Sequence, residues 1–199
     1  MTNLITLITA AGYVGITLVV FAESGLLIGF FLPGDSLLFT AGLLASKGHL
    51  SILLLLPLCF IAAVVGDSTG YAFGKKLGPK IFTRDESLFF KRAYVEKTRA
   101  FFAKYGDKAV VLARFMPVVR TFVPVFAGVG EMSYVRFLAY NVIGGALWVS
   151  SMLGLGYILG ETIPDIDRYV FPIIIVIILA SILPGIIAFI RDRRATPSL

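Results

Sequence analysis

Long apolar stretches dominate the hydropathy pattern of the chain. Residues 1–22, 137–160 and 169–190 contain no charged side chain, and residues 50–74 contain only Asp67. A helix needs about 20 apolar residues to cross the hydrocarbon core of a bilayer. The pattern therefore predicts transmembrane helices over 50–74, 137–160 and 169–190, preceded by an N-terminal helix over 1–22. We expect that first helix to be retained, because it lacks the basic start of a signal peptide.

Two further segments are apolar but interrupted. In residues 23–46 the break is Pro33-Gly34, and in residues 109–131 it is Pro117. The arms on either side of the first break are about half as long as a spanning helix, at about 1.5 Å per residue. Such a segment can enter and leave the membrane on one side, provided that its tip is buried in protein or lines a wet cavity. The sequence thus predicts two re-entrant helical hairpins, with Pro33, Gly34 and Pro117 at their tips.

Composition supports this interpretation. Of the 199 residues, 58% are hydrophobic and 15% are charged, whereas soluble domains have about 25% charged residues. The mean hydropathy is +0.91. Cys59 is the only cysteine, which excludes an intramolecular disulfide scaffold. We expect one all-α polytopic membrane domain over residues 1–199, and not a soluble enzyme.

The net charge of +6 is unevenly distributed. Residues 75–108 hold ten basic and four acidic side chains, and the tail 191–199 has a charge of +2, whereas 161–168 has a charge of −2. Loops rich in Lys and Arg stay on the cytoplasmic side. This rule predicts that residues 75–108 form a cytoplasmic or interfacial segment, that the C-terminal tail is cytoplasmic and that 161–168 is outside. Because the span 50–74 leads into the basic segment, His49 is predicted outside and the N-terminus inside.

An internal repeat suggests how the halves are related. Five residues recur at a constant offset of 86 positions. They are Ala41, Gly42, Gly70, Tyr71 and Gly74, which return as Ala127, Gly128, Gly156, Tyr157 and Gly160. The first copy is followed by Lys75-Lys76 and the second by Glu161. Because the two copies would end on opposite sides of the membrane, the pattern predicts an inverted-topology repeat, as in secondary transporters.

Few ionisable residues lie within the apolar segments: Glu23, Asp35, Asp67, Arg114 and Arg120. Each costs about 2.5–3.5 kcal/mol at the centre of a membrane helix, so each needs a partner or a function. If the hairpin tips meet, two carboxylates face two guanidiniums. One interpretation is a buried ion-pair cluster that only fixes the fold, although such pairs contribute little stability. Asp67 is either a solvated or capped acid or a second relay group.

The alternative is a transport site. The planar guanidiniums of Arg114 and Arg120 suit phosphate oxygens, and a helix broken at a hairpin tip exposes N–H groups that favour anions. A carboxyl group in a low-dielectric cavity, such as that of Glu23 or Asp35, can exchange a proton during transport. We therefore predict that the two arginines bind a phosphate headgroup and that the two acids provide proton coupling.

These residues carry a family resemblance. Glu23, Pro33-Gly34-Asp35, Gly66-Asp67-x-x-Gly70-Tyr71-x-x-Gly74 and Arg114-Phe115-x-Pro117-x-x-Arg120 resemble the bacterial DedA family, which is related to VTT-domain lipid scramblases. The resemblance covers about residues 10 to 185. It implies paired re-entrant hairpins, an inner-membrane location and lipid transport, notably the return of undecaprenyl phosphate across the membrane. It also implies functional acids at Glu23 and Asp35 and functional arginines at Arg114 and Arg120. Where the family often has Pro-Gly-Glu, this chain has Asp35.

The predicted function is therefore that of a flippase for undecaprenyl phosphate or another phosphate-headed lipid, coupled to protons. A proton-coupled transporter of small ions or drugs, and a non-transporting scaffold, remain alternatives. His49 is the only histidine, and Gly-rich phosphate loops and metal-ligand motifs are absent from the sequence, so we expect no enzymatic activity, cofactor or bound metal. No nucleic-acid partner is expected, and homo-oligomerisation is left open.

Overall fold

The computed structural model describes residues 2–25, 34–81 and 100–162, and every regular element within these ranges is helical. Six helices are labelled here in chain order: α1 Thr2–Gly25, α2 Gly34–Ser46, α3 Ile52–Ile81, α4 Ala109–Ala113, α5 Pro117–Val129 and α6 Tyr134–Thr162. Residues 100–105 are also helical, and a 3₁₀ turn over Gly106–Lys108 leads into α4. The predicted N-terminal helix 1–22 and hairpin 23–46 meet differently in the structure, because residues 23–25 continue α1. The rest of the first arm of hairpin one with Pro33, residues 82–99 of the basic segment, the span 169–190 and the tail 191–199 lie outside the described residues.

Two of the described helices are long and apolar enough to cross a membrane. They cover Ile52–Lys76, within α3, and Tyr134–Thr162, which is α6. Both correspond to predicted spans, 50–74 and 137–160. The all-α prediction is confirmed for the described part of the chain, and so are these two long apolar helices.

The helices α2 and α5 are much shorter, with 13 residues each. At 1.5 Å per residue each is about 20 Å long, well below the hydrocarbon thickness of about 30 Å. Helix α5 begins at Pro117, after Met116 in an extended conformation. Proline suits the first turn because its missing N–H would have no partner there, and it disfavours a helical conformation in the preceding residue. The chain is therefore broken between α4 and α5 where the sequence predicted it.

Helix α2 packs along α6 with very close backbone contact. A Cβ atom on Gly42 would overlap the backbone carbonyl of Leu153, and one on Gly156 would overlap that of Phe39. Small residues allow membrane helices to approach this closely. The first short helix is therefore held by the long helix of the second half.

Helix α5 packs in the same way along α3. A Cβ atom on Gly74 would overlap the carbonyl of Val125, and one on Gly128 would overlap that of Tyr71. The second short helix is thus held by the long helix of the first half, and α1 packs against that same long helix. The four contact glycines all belong to the set that recurs at an offset of 86 positions.

Apolar side chains form two clusters around these contacts. The first joins α1, α2, α3 and α6, and includes Val20, Leu38, Leu55 and Leu153. The second joins α4 and α5 to Tyr71 of α3 and Phe137 of α6, whose rings stack with their centroids 4.6 Å apart. Elements of both clusters supply the charged residues described next.

Candidate functional site

Arg120, near the start of α5, binds carboxylates from two other helices. Its Nη1 donates to Oδ1 of Asp35 over 2.8 Å, and its Nη2 forms an ion pair with Oε1 of Glu23. Glu23 lies at the end of α1, and Asp35 lies in the first turn of α2. The structure thus brings together three of the residues that the sequence singled out.

Arg114 has different partners. It follows the last residue of α4, and its Nη2 lies 2.6 Å from Oδ2 of Asp67 on α3 and 2.5 Å from Oδ1 of Asn141 on α6. Asn141 is held in turn because its Nδ2 donates to the carbonyl of Val64 over 2.9 Å. Asp67 is consequently neither a solvated nor a capping acid but the partner in a buried ion pair.

Trp148 of α6 lies beside both guanidiniums. The centroid of its ring is 5.4 Å from Cζ of Arg120 and 5.9 Å from Cζ of Arg114, within the range of cation–π attraction. Its Nε1 also donates to Oδ1 of Asp35 over 2.6 Å. This side chain, the only tryptophan of the chain, joins the two arginine clusters. Neither Trp148 nor Asn141 is among the site residues predicted from the sequence.

Glycine at the first position of α2 leaves space for a carboxylate. A Cβ atom on Gly34 would overlap the carboxylate of Glu23, which lies against the start of this helix. The N-terminal end of a helix carries a partial positive charge that favours a carboxylate. The predicted tip residue Gly34 thus leaves room for Glu23, whereas Pro117 serves as the first residue of α5.

Three buried polar atoms of the site have no hydrogen bond to any residue in the described ranges: Oε1 and Oε2 of Glu23 and Nε of Arg114. Of these, Oε1 still has an ion-pair partner in Arg120. A buried charged group with an unused donor or acceptor is costly in free energy. The site therefore retains one donor and one acceptor that a ligand or water can use.

Three of the five charged side chains, those of Asp67, Arg114 and Arg120, line a small cavity. Its lining includes Ser24, Asp67, Arg114, Arg120 and Trp148, and its volume is about 10 Å³, which is room for about one water molecule. A phosphate group enters only when side chains move. In the described parts of the chain, no group of three or more His, Cys, Asp or Glu side chains is placed to hold a metal ion.

Comparison with known proteins shows which sequences this chain resembles. Residues 32–158 match the VTT domain. The chain is 48% identical over 185 residues to Protein DedA of Escherichia coli (strain K12), which covers 92% of this chain and 84% of that protein. It is 45% identical over 187 residues to Uncharacterized membrane protein ML0287 of Mycobacterium leprae (strain TN), covering 94% of this chain and 83% of that protein.

A more distant relative is Inner membrane protein YqjA of Escherichia coli (strain K12), which is 35% identical over 150 residues, covering 75% of this chain and 68% of that protein. No solved structure matches the chain. The range that matches the VTT domain includes Asp35, both arginines and Trp148, and it begins after Glu23.

Proposed function

The chain belongs to the DedA family of VTT-domain membrane proteins, and on that premise we propose that it translocates a phosphate-headed lipid across the bacterial inner membrane, coupled to protons. Undecaprenyl phosphate is the first choice of substrate. The observation that carries the proposal is the meeting of Arg114 and Arg120 at one small cavity, beside two helices too short to cross the membrane. We propose a transporter, and no enzymatic activity.

The two guanidiniums give the site its preference for an anion. Arginine is always charged, and its planar fork matches the oxygens of a phosphate group. In the present conformation these donors face carboxylate oxygens, and Nε of Arg114 has no hydrogen bond to a described residue. A phosphate group can take over the same donors and use the remaining one.

The carboxylates explain why protons would be coupled to transport. Glu23, Asp35 and Asp67 face two arginines, so the site has a formal charge of −1 when all five groups are ionised. A phosphate group is repelled from a site of net negative charge unless a carboxyl group is protonated or moves away. Proton uptake by Glu23 or Asp35 would therefore free Arg120 for phosphate, and proton release would expel it.

The proposed topology has two re-entrant hairpins that enter from opposite sides, with both termini in the cytoplasm. Helices α2 and α5 would be the second arms of these hairpins, after the break, and each packs on the long helix of the other half. In transporters built from inverted repeats the site lies near the midplane, between the halves. The name of the inner membrane protein of Escherichia coli supports the same location for this chain.

One observation favours a second candidate, a scaffold without transport activity. Both arginines are already paired with carboxylates within the described structure, and a network of this kind would fix the helices in place without any ligand. The experiment must therefore separate binding from folding.

Binding of undecaprenyl phosphate and of uncharged undecaprenol to the purified protein provides that separation. We expect the wild type to prefer the phosphate, and Arg114→Ala and Arg120→Ala to weaken its binding about ten- to a hundredfold, because each charge-assisted contact contributes about 1.5–3 kcal/mol. Arg120→Lys should recover part of the loss, since it keeps the charge without the planar fork. Arg136→Ala, which removes an exposed arginine paired with Asp107, is the matched control and should bind normally.

Equal affinity of the wild type for the phosphate and the alcohol would refute the proposal. Aggregation of both alanine variants, with normal behaviour of the Arg136 control, would instead support the scaffold. Proton coupling is tested separately by flipping of the lipid in vesicles with an imposed pH gradient. Glu23→Gln should abolish the response to that gradient together with most of the activity.

A further inference from the structure

The two ends of the Arg120 guanidinium have partners of very different accessibility. The side chain of Glu23, which contacts Nη2, is 1% exposed, whereas that of Asp35, which accepts from Nη1, is 41% exposed. Glu23 belongs to α1, which packs on the same long helix as α5, and Asp35 belongs to α2, which packs on α6. Glu23 is thus a fully buried partner of Arg120, whereas Asp35 is a partner that solvent reaches.

Asp35 is held by a pair of donors that converge on one atom. Its Oδ1 accepts from Nη1 of Arg120 over 2.8 Å and from Nε1 of Trp148 over 2.6 Å. One donor is cationic and the other is neutral, and both come from the half of the chain that follows α3. Short charge-assisted contacts of this kind are also what holds a phosphate oxygen in a protein site.

Building on the proposed function, we propose that Asp35 is an internal competitor of the lipid phosphate. Its Oδ1 occupies the position between Arg120 and Trp148 that an oxygen of the headgroup takes during transport, and the headgroup binds by displacing it. The indole N–H of Trp148 then donates its hydrogen bond to the phosphate instead of to the carboxylate. Trp148 is therefore a third ligand-binding residue beside the two arginines.

This arrangement reverses the effect on phosphate binding that is expected when Asp35 is neutralised. A carboxylate that only orients Arg120 should weaken phosphate binding when it is neutralised. A competitor should strengthen that binding, because the phosphate no longer has to displace a charged group. Asp35→Asn should therefore bind undecaprenyl phosphate about tenfold more tightly than the wild type, since a charge-assisted contact of the competitor is lost, while flipping slows because release is no longer assisted.

Trp148 provides the complementary test. Its ring lies near both guanidiniums, and Trp148→Phe keeps an aromatic ring there while it removes the N–H donor. We expect about three- to tenfold weaker binding of the phosphate lipid and unchanged binding of the alcohol. In the wild type, the fluorescence of this sole tryptophan should change on titration with undecaprenyl phosphate and not with undecaprenol, because its hydrogen-bond acceptor changes.

The experiment measures the affinity of the full-length purified protein for both lipids in the wild type, Asp35→Asn, Trp148→Phe and two controls. Glu23→Gln neutralises the partner of Nη2 but leaves Asp35 on Nη1 of Arg120 and on Nε1 of Trp148. It therefore frees only part of the site, and its gain in affinity should not exceed about threefold. Asp107→Asn neutralises an acid whose described arginine partner, Arg136, is exposed, and it should bind like the wild type.

Each outcome separates this inference from the function on which it rests. A wild type that does not distinguish the phosphate from the alcohol overturns the proposed function and the competitor together. A wild type that prefers the phosphate, with Asp35→Asn equal to or weaker than it, overturns only the competitor. Equal gains in affinity in Asp35→Asn and Glu23→Gln would show that the effect comes from net charge. That result would also overturn the competitor. Aggregation of both Asp35→Asn and Asp35→Ser would do the same, because the carboxylate would then be needed for the fold.

Discussion

Two glycines on one helix allow a sharp test of how closely α2 and α6 approach each other. Gly156 lies against the backbone carbonyl of Phe39, where a Cβ atom would overlap it, whereas a Cβ atom on Gly154 would meet no atom of the described residues within 4 Å. Alanine at either position improves the helix propensity by about 1 kcal/mol. Gly156→Ala and Gly154→Ala therefore share this gain and differ in the steric effect of one methyl group.

The size of that effect follows from the contact. A Cβ atom at position 156 would lie 2.0 Å from the carbonyl oxygen of Phe39. Carbon and oxygen atoms pack at about 3.5 Å, so α2 has to move away from α6 by about 1.5 Å to accept the methyl group. Overpacking of this kind costs about 1–3 kcal/mol. We expect the free energy of unfolding of Gly156→Ala to lie below that of Gly154→Ala by this amount, and Gly154→Ala to be as stable as the wild type or more stable.

The buried thiol of Cys59, the only cysteine, offers a direct assay. A dye that fluoresces on reaction with thiols reports unfolding in detergent when this side chain becomes accessible. A difference of 1 kcal/mol shifts the melting temperature by about 2–4 °C in a chain of this length. Equal melting temperatures for the two variants, or a lower one for Gly154→Ala, would show that the backbones of α2 and α6 are not in close contact.

Three further predictions concern other parts of the structure. Asn141→Leu should lower the stability by about 1–3 kcal/mol in the same thermal assay, because Arg114 then loses a buried acceptor; an unchanged melting temperature would argue against this contact. Arg136→Ala should change the stability by less than about 0.5 kcal/mol, since its ion pair with Asp107 is exposed, and a larger loss would point to another role. On a Cys59→Ser background, a cysteine at exposed position 49, in place of His49, should react with an impermeant reagent from outside intact cells; reaction only after lysis would contradict the proposed topology.

Local features of the sequence predicted the break between α4 and α5. Proline fixes its own backbone and disfavours a helical conformation in the residue before it, so Pro117 favours a break in the chain immediately before it. Because charges in an apolar segment require partners, the sequence also predicted that Glu23 and Asp35 face the two arginines. In the structure both acids pair with Arg120, and neither pairs with Arg114. Spacing alone did not identify Asp67 as the partner of Arg114. That pairing depends on how α3 is rotated about its axis, and packing against other helices sets this rotation.

Two residues of the site were missed because they lie in a stretch that resembles an ordinary transmembrane span. Asn141 and Trp148 belong to the charge-free residues 137–160. An amide in an apolar run is nevertheless informative, since a buried polar group needs hydrogen-bond partners, and this rule would have drawn attention to Asn141. The recurrence of Gly42 as Gly128 predicted a repeat, but a periodicity in sequence does not indicate which helix each copy contacts.

The packing of α2 on α6 has a consequence for synthesis. About a hundred residues separate the start of α2 from the start of its main neighbour, so at about 5–20 residues per second the ribosome delivers α6 several seconds after α2. Both donors to Asp35 also belong to the later half. During that time the nascent first half has neither the helix on which α2 packs nor the two donors to Asp35. A chain divided after α3 should consequently yield two fragments that become stable only when they are expressed together.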